Sequence, residues 1–184
     1  IFDLGNVLIG FDHRIAVNRI LAYTDKSAQG IYDFFFNSTL TQNFEKGLIS
    51  PEDFFGQVKI ELNLRISYEE FLPIWNEIFF RKPDMEKFIQ SLDAGIRLIL
   101  LSNVNRLHYE YLEKNFCCAL ELFDKIIPSY AIGAIKPERK IYELALKETE
   151  AQVGEVVYVD DRADLIEAAR SYGINSLQFT GVDN

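Results

Sequence analysis

The hydrophobic pattern of the chain changes character twice. Residues 1–9 are almost all apolar, interrupted by Asp3, Gly5 and Asn6, which reads as a buried parallel strand that delivers one carboxylate into a tight turn. From about Asp12 to Phe80 the spacing becomes helical, with Ile15, Ile20 and Leu21 on one stripe and Ile31, Phe34 and Phe35 on another. Two helix starts are written into this stretch. Ser50-Pro51-Glu52-Asp53 offers an N-cap serine, a proline at the first position and acids in the first turn. Ser67-Tyr68-Glu69-Glu70 is a capping box ahead of the apolar run Phe71, Ile74, Trp75, Ile78 and Phe79. That aromatic run reads as packing.

From Arg81 onward strands and helices alternate. Strands are expected at Ile96 to Leu101, Phe123 to Ile127, Glu155 to Val159 and Ile174 to Phe179. Helices are expected from Pro83 to near Gly95, around Arg106 to Lys114, from Pro137 to about Glu148, and from Ala163 to Tyr172 with Gly173 as its C-cap. Alternation of this kind implies parallel βαβ units. The expected fold is α/β, a Rossmann-like doubly wound parallel sheet with an inserted small helical cap domain. Its boundaries are expected at residues 1–10 and 82–184 for the core and 11–81 for the cap.

A chain of 184 residues suits one domain, or one with a large insertion. The net charge of −9 argues against nucleic acid and anionic membranes as partners. An anionic substrate must therefore be drawn by a local positive group. Cys117 and Cys118 are adjacent and make no disulfide framework, so they are expected as buried or half-buried thiols in a reducing, cytoplasmic setting. No apolar run is long enough for a transmembrane helix and no signal-peptide pattern is present. Ile1 is no initiator, and a strand ending at Asp3 should begin earlier, so residues preceding Ile1 are expected. A monomer or weak homo-oligomer is expected.

Polar residues then recur at the strand ends, or in loops just beyond them: Asp3, Ser102-Asn103, Lys136 and Asp160-Asp161. The carboxyl ends of parallel strands share one edge of a sheet, so these groups can converge. The set fits metal-assisted phosphoryl transfer. Asp3 would be the nucleophile, because a carboxylate needs no general base to attack phosphorus. Asp3, Asp160, Asp161 and the Gly5 carbonyl are hard oxygen ligands suited to Mg²⁺. The Ser102 hydroxyl and the amides near Asn103, with the Gly5-Asn6 turn, would hold phosphoryl oxygens. Lys136 would place a point charge against those oxygens and Asp3. His13, His108, Arg14, Arg19, Arg106 and Arg139 are further candidates for substrate recognition, though each is more readily read as a surface or capping residue.

Taken together these stretches resemble the haloacid dehalogenase superfamily of aspartate-nucleophile phosphatases. Phe2-Asp3-Leu4-Gly5-Asn6-Val7-Leu8 resembles the first motif, Leu100-Leu101-Ser102-Asn103 the second, Lys136-Pro137 the third and Val159-Asp160-Asp161 the fourth. Gly5-Asn6, Ser102-Asn103-Val104-Asn105-Arg106 and Lys136-Pro137-Glu138 look most like the capped branch that contains glucose-1-phosphate phosphatase and the N-terminal domain of epoxide hydrolases. The resemblance implies a Mg²⁺-dependent phosphomonoester hydrolase with a phospho-aspartyl intermediate on Asp3. It also implies a small phosphorylated metabolite as substrate, such as a sugar phosphate.

One position departs from the pattern. The superfamily's phosphatases usually carry a second aspartate two residues after the nucleophile, as the general acid and base; here that position is Gly5. Such help is worth about 10²–10⁴-fold in rate. Three outcomes are open: slow hydrolysis, or a substrate such as an anomeric ester whose leaving oxygen needs little protonation; an acid recruited from the cap, with Asp12 or His13 nearest in sequence; or loss of phosphatase activity, leaving a phospho-ligand binding module. A haloacid-type dehalogenase, whose leaving halide needs no proton, is the other alternative. The concentrated negative charge at Asp160-Asp161 argues against that alternative.

Overall fold

The computed structural model describes residues 1–182. In chain order its elements are β1 (Ile9–Phe11), α1 (His13–Ile20), α2 (Ala28–Asn37), α3 (Thr39–Glu45), α4 (Pro51–Glu61), α5 (Tyr68–Asn76), β2 (Phe79–Arg81), α6 (Pro83–Gln90), β3 (Ile99–Ser102), α7 (Arg106–Asn115), α8 (Cys117–Leu120), β4 (Lys125–Pro128), α9 (Ser129–Ile132), α10 (Arg139–Thr149), β5 (Val157–Asp160), α11 (Ala163–Ser171) and β6 (Asn175–Gln178).

Residues 1–3 lie in the middle of a parallel sheet. The Phe2 amide donates to the Ile99 carbonyl at 2.8 Å, and the Asp3 amide to the Val159 carbonyl at 2.8 Å. Phe2 bridges Leu100 on one side and Val159 on the other, both parallel. With β3 paired to β4 and β5 to β6, the order is β4, β3, residues 1–3, β5, β6. Side chains alternate between the two faces with period two. Ile1, Ile99, Leu101 and Tyr158 pack under α10 and α11 with Ile141, Tyr142 and Ala169. Leu100 packs with Met85, Ile89, Leu112 and Leu120, under α6, α7 and α8. Covering both faces in this way makes the doubly wound α/β arrangement, and it sets Asp3, Ser102 and Asp160 at the same sheet edge.

The sequence pattern overextends the first strand. Residues 1–3 pair in the sheet, and the chain then turns: the Leu8 and Ile9 amides both return to the Leu4 carbonyl. Asn6 sits at φ +57, in the left-handed region that asparagine tolerates. Ile9 to Phe11 then form a short antiparallel ribbon with Phe79 to Arg81. This ribbon is absent from the sequence reading because three-residue strands carry no usable periodicity. β3, β4 and β5 run later than expected, β6 is shorter at both ends, and the helix expected from Pro137 begins at Arg139.

Between the ribbon strands lie five helices with their own aromatic centre, where Phe35, Phe44, Phe54, Phe71 and Trp75 are all buried. Phe44 and Phe54 stack at 4.1 Å. Both sequence-readable caps form: Ser50 Oγ accepts from the Asp53 amide, and Ser67 with Glu70 closes a capping box. Trp75 stacks on His108 of α7 at 4.8 Å, one of the contacts that join this bundle to the sheet. Gly47 is another. Its φ is +68, and a Cβ there would meet the Tyr130 carbonyl oxygen at 2.1 Å, so only glycine fits.

Cys117 and Cys118 are exposed, with their sulfurs 4.0 Å apart. The expectation of buried thiols fails because α8 is four residues long and buries Ala119 and Leu120 instead. Among the described residues no helix is long and apolar enough to cross a membrane.

Candidate active site

The residues singled out along the sequence meet at the carboxyl edge of the sheet. The Lys136 ammonium donates to Asp3 Oδ1 at 2.6 Å, to Asp160 Oδ2 at 2.7 Å and to the Leu101 carbonyl at 3.3 Å. The Lys136 side chain is 2% exposed and that of Asp160 0%, so this is an internal ionic cluster. Carboxylate oxygens of Asp3, Asp160 and Asp161 all lie within 4.8 Å of one another. Three carboxylates against one ammonium leave an excess of negative charge in a buried place, which a divalent cation would neutralise. The donor set is all oxygen, as Mg²⁺ prefers.

The electrostatics carry the same imbalance. Burial pushes the Asp3 carboxyl up to about 6; Lys136 pulls it down, while Asp160 and Asp161 push it further up. Asp161 is also raised, chiefly by burial and then by Asp160, with a hydrogen bond from the Asn6 side chain opposing. Burial disfavours the Lys136 ammonium, but Asp3 and Asp160 outweigh it and hold the group above its ordinary value.

Each neighbour has a definite place. Asn103 grips the Lys136 backbone from both sides: its Oδ1 accepts from the Lys136 amide at 2.7 Å and its Nδ2 donates to the Lys136 carbonyl at 2.9 Å. Its side chain therefore positions the lysine and is not turned to a ligand. Asp160 is engaged on both oxygens, accepting from Lys136, from the Tyr158 hydroxyl and, through Oδ1, from the Arg162 amide at 2.9 Å. Asp161 is the less buried carboxylate and lines the cavity above the cluster. Ser102 is 3% exposed and also lines that cavity, as do Gly5 and Asn6. The Asn6 carbonyl accepts from the Lys82 ammonium, which ties the turn to the start of α6.

The cavity measures about 490 Å³ and runs from this cluster to the helical bundle. Its bundle side is aromatic: His13 lies between Phe11 at 4.6 Å and Phe36 at 3.9 Å, and Tyr32 lies against Phe36 at 4.6 Å. Burial lowers His13 to about 4, so its imidazole is neutral near pH 7. Asp12, by contrast, caps α1 and is held to about 2 by its hydrogen bonds from Arg14. It is spoken for and does not line the cavity. Arg14, Arg19, Arg106 and Arg139 are all in surface ion pairs, with Asp12, Glu77, Glu110 and Glu143.

His108 is a structural residue despite lining the cavity. Asn105 Nδ2 donates to its Nδ1 at 3.0 Å, and its Nε2 donates to the Trp75 carbonyl at 3.0 Å. Burial lowers its pKa to about 3. The unfolded chain, with a histidine near 6.5, thus takes up a proton that the folded chain refuses. Stability is full above pH 6.5 and falls as pH drops toward 3, by up to ~1.4 kcal/mol per unit from this residue. Urea melts at pH 7, 5.5 and 4.5 should show that fall, and His108→Gln should flatten it while costing stability at pH 7.

Sequence reasoning missed Glu45, Lys82, Tyr158 and Arg162. Tyr158 and Arg162 flank the Asp160-Asp161 pair and were within reach of a reading that asked what holds a buried aspartate. Glu45 and Lys82 carry no local mark.

Position 5 explains itself in part. A Cβ on Gly5 would stand 2.7 Å from the Phe11 ring and 3.7 Å from Asp3 Oδ2. Phe11 thus occupies the space in which a side chain at this position would sit.

A sequence model of the haloacid dehalogenase-like hydrolases matches residues 1–179. A D-ribitol-5-phosphate phosphatase from Bacteroides thetaiotaomicron is 25% identical over 97% of this chain and 89% of its own length. The sesquiterpene phosphatase astK of Aspergillus oryzae is 27% identical over 98% of this chain and 88% of its own. Among solved structures, a haloacid dehalogenase family enzyme from Bacteroides thetaiotaomicron, crystallised with magnesium and inorganic phosphate, superposes with a TM-score of 0.84. It is 22% identical and the match covers 100% of this chain and 94% of that one. The four motifs in order, their convergence at one sheet edge and the match along nearly the whole chain place this protein in the haloacid dehalogenase-like hydrolase family.

Proposed function

We propose that this hydrolase is a Mg²⁺-dependent phosphomonoesterase that acts on a small phosphorylated metabolite through a phospho-aspartyl intermediate on Asp3. The observation that carries the reading is the Lys136 ammonium bridging Asp3 and Asp160, with Asp161 in the same oxygen cluster, beside a cavity that Asp3, Lys136 and Asp161 line. Two relatives named as phosphatases and a like fold crystallised with magnesium and phosphate support it.

In this reading Asp3, Asp161, Asp160 and the Gly5 carbonyl would hold the cation, which would supply charge neutralisation between an anionic nucleophile and an anionic ester. Lys136 keeps one Asp3 oxygen fixed, so the other is aimed into the cavity as nucleophile. Asn103 holds the lysine in turn. The Ser102 hydroxyl and the backbone amides near Asn103 take the phosphoryl oxygens; the Asn6 amide does not, because it donates to the Ile9 carbonyl at 2.8 Å. The bundle acts as a cap, and residues 11–81 form a domain distinct from the core. It excludes bulk water and holds the leaving group against His13, Phe36 and Tyr32. A cavity of about 490 Å³ admits a sugar or polyol phosphate and not a folded protein.

The test is phosphate release across hexose 1-phosphates, hexose 6-phosphates and pentitol phosphates, each with Mg²⁺ and with EDTA. Turnover that needs Mg²⁺ and disappears with chelator is expected. Ligand binding without turnover on any ester would make the protein a binding module instead.

A further inference from the structure

We propose that the Glu45 carboxyl is the proton donor to the leaving oxygen, filling from the helical bundle the role that Gly5 leaves vacant. The inference rests on the phosphatase reading above and deepens it.

The end of α3 is fastened to the core beside the reacting groups. Ser129, fully buried as the first residue of α9, donates its hydroxyl to the Glu45 carbonyl at 2.6 Å. The next residue, Lys46, pairs with Glu138, two residues after Lys136. Gly47 then packs directly on the Tyr130 backbone. Three consecutive residues are thus pinned to α9 and to the turn that leads into α10, and the first of them lines the cavity that Asp3, Gly5 and Lys136 also line. Its electrostatic neighbours are Arg162 and Lys136, both from the core.

A carboxyl in that position has suitable chemistry. Burial raises it to about 7, with Arg162 and Lys136 pulling the other way, so both protonation states are available near neutral pH. His13, also from the cap, lines the same cavity but is held neutral and wedged between two rings, and is a poor acid there.

The step balances as follows. An Asp3 oxygen bonds to phosphorus as the ester P–O bond breaks, and the Glu45 proton passes to the departing oxygen to give the alcohol. Water then bonds to phosphorus and yields a proton to the Glu45 carboxylate. The Asp3–phosphorus bond breaks, phosphate leaves and both carboxyls are restored. A cap-borne acid makes ordinary alkyl phosphates accessible substrates, not only anomeric ones.

The experiment compares an alkyl ester, a hexose 6-phosphate, with p-nitrophenyl phosphate, whose leaving group needs little protonation. With Mg²⁺ present, Glu45→Gln should lose about 10²–10⁴-fold in kcat on the alkyl ester. Its loss on the aryl ester should be at least about tenfold smaller, with an unchanged melting temperature. His13→Gln should show no such bias between esters. An equal loss on both esters, no loss, or a bias that follows His13 overturns the assignment while leaving the phosphatase reading intact. If the wild-type protein with Mg²⁺ releases phosphate from neither ester, the phosphatase reading falls and this one with it.

Discussion

Asp3→Asn should abolish phosphate release, by about 10⁴–10⁶-fold, the scale on which enzymes lose rate when their nucleophile is removed. The amide has the shape of the carboxylate, so binding of a product anion should survive. Stability should move the opposite way. In the metal-free protein Asp3 is a buried carboxyl pushed up to about 6, competing with Asp160 for one ammonium. Removing its charge leaves one lysine matched to one aspartate, so the variant should melt at the same temperature or higher. A nucleophile whose removal costs all activity and no stability is what a site strained for function predicts. Thermal melts with EDTA, alongside phosphate release with Mg²⁺, check both halves.

Lys136→Met should fail on both counts. The methionine fills nearly the same volume, but Asp3 and Asp160 are left buried and facing each other without a cation. Breaking a buried ion pair from one side costs roughly 3–5 kcal/mol. The Tyr158 hydroxyl and the Arg162 amide remain for Asp160, so the cost should fall mainly on Asp3. Added Mg²⁺ should recover part of the stability by binding the folded state, but little of the activity, because nothing then fixes the Asp3 oxygen. Urea melts of the variant with and without Mg²⁺ read this directly. A variant as stable as wild type in EDTA would show that Asp3 and Asp160 do not share the lysine.

The contrast between those two variants shows what could be read from the chain and what could not. Asp3, Ser102, Lys136, Asp160 and Asp161 were legible because strand ends in a parallel sheet share an edge, and topology alone brings them together. The caps at Ser50 and Ser67 were legible because the chemistry of a helix start is local. Glu45 was invisible for the opposite reason. Its placement depends on Ser129, Glu138 and Tyr130, residues more than eighty positions away, and no spacing rule connects them. Asp12 was the attractive guess because it is near in sequence, yet Arg14 two residues on claims its carboxylate. Asn103 was legible as a site residue but not in its role, since its grip on the Lys136 backbone is a contact across 33 positions. The ribbon of Ile9 to Phe11 with Phe79 to Arg81 was lost to its shortness, and it is the feature that carries Phe11 into the space beside Gly5.

In the proposed reaction the third residue of the chain takes up the phosphoryl group. Incubating the protein with Mg²⁺ and substrate, quenching in acid, reducing with borohydride and mapping the peptides by mass spectrometry tests it. Asp3 should appear as homoserine, in amounts that fall to nothing with EDTA. Turnover without any modification at Asp3, or modification at another carboxylate, would contradict the account.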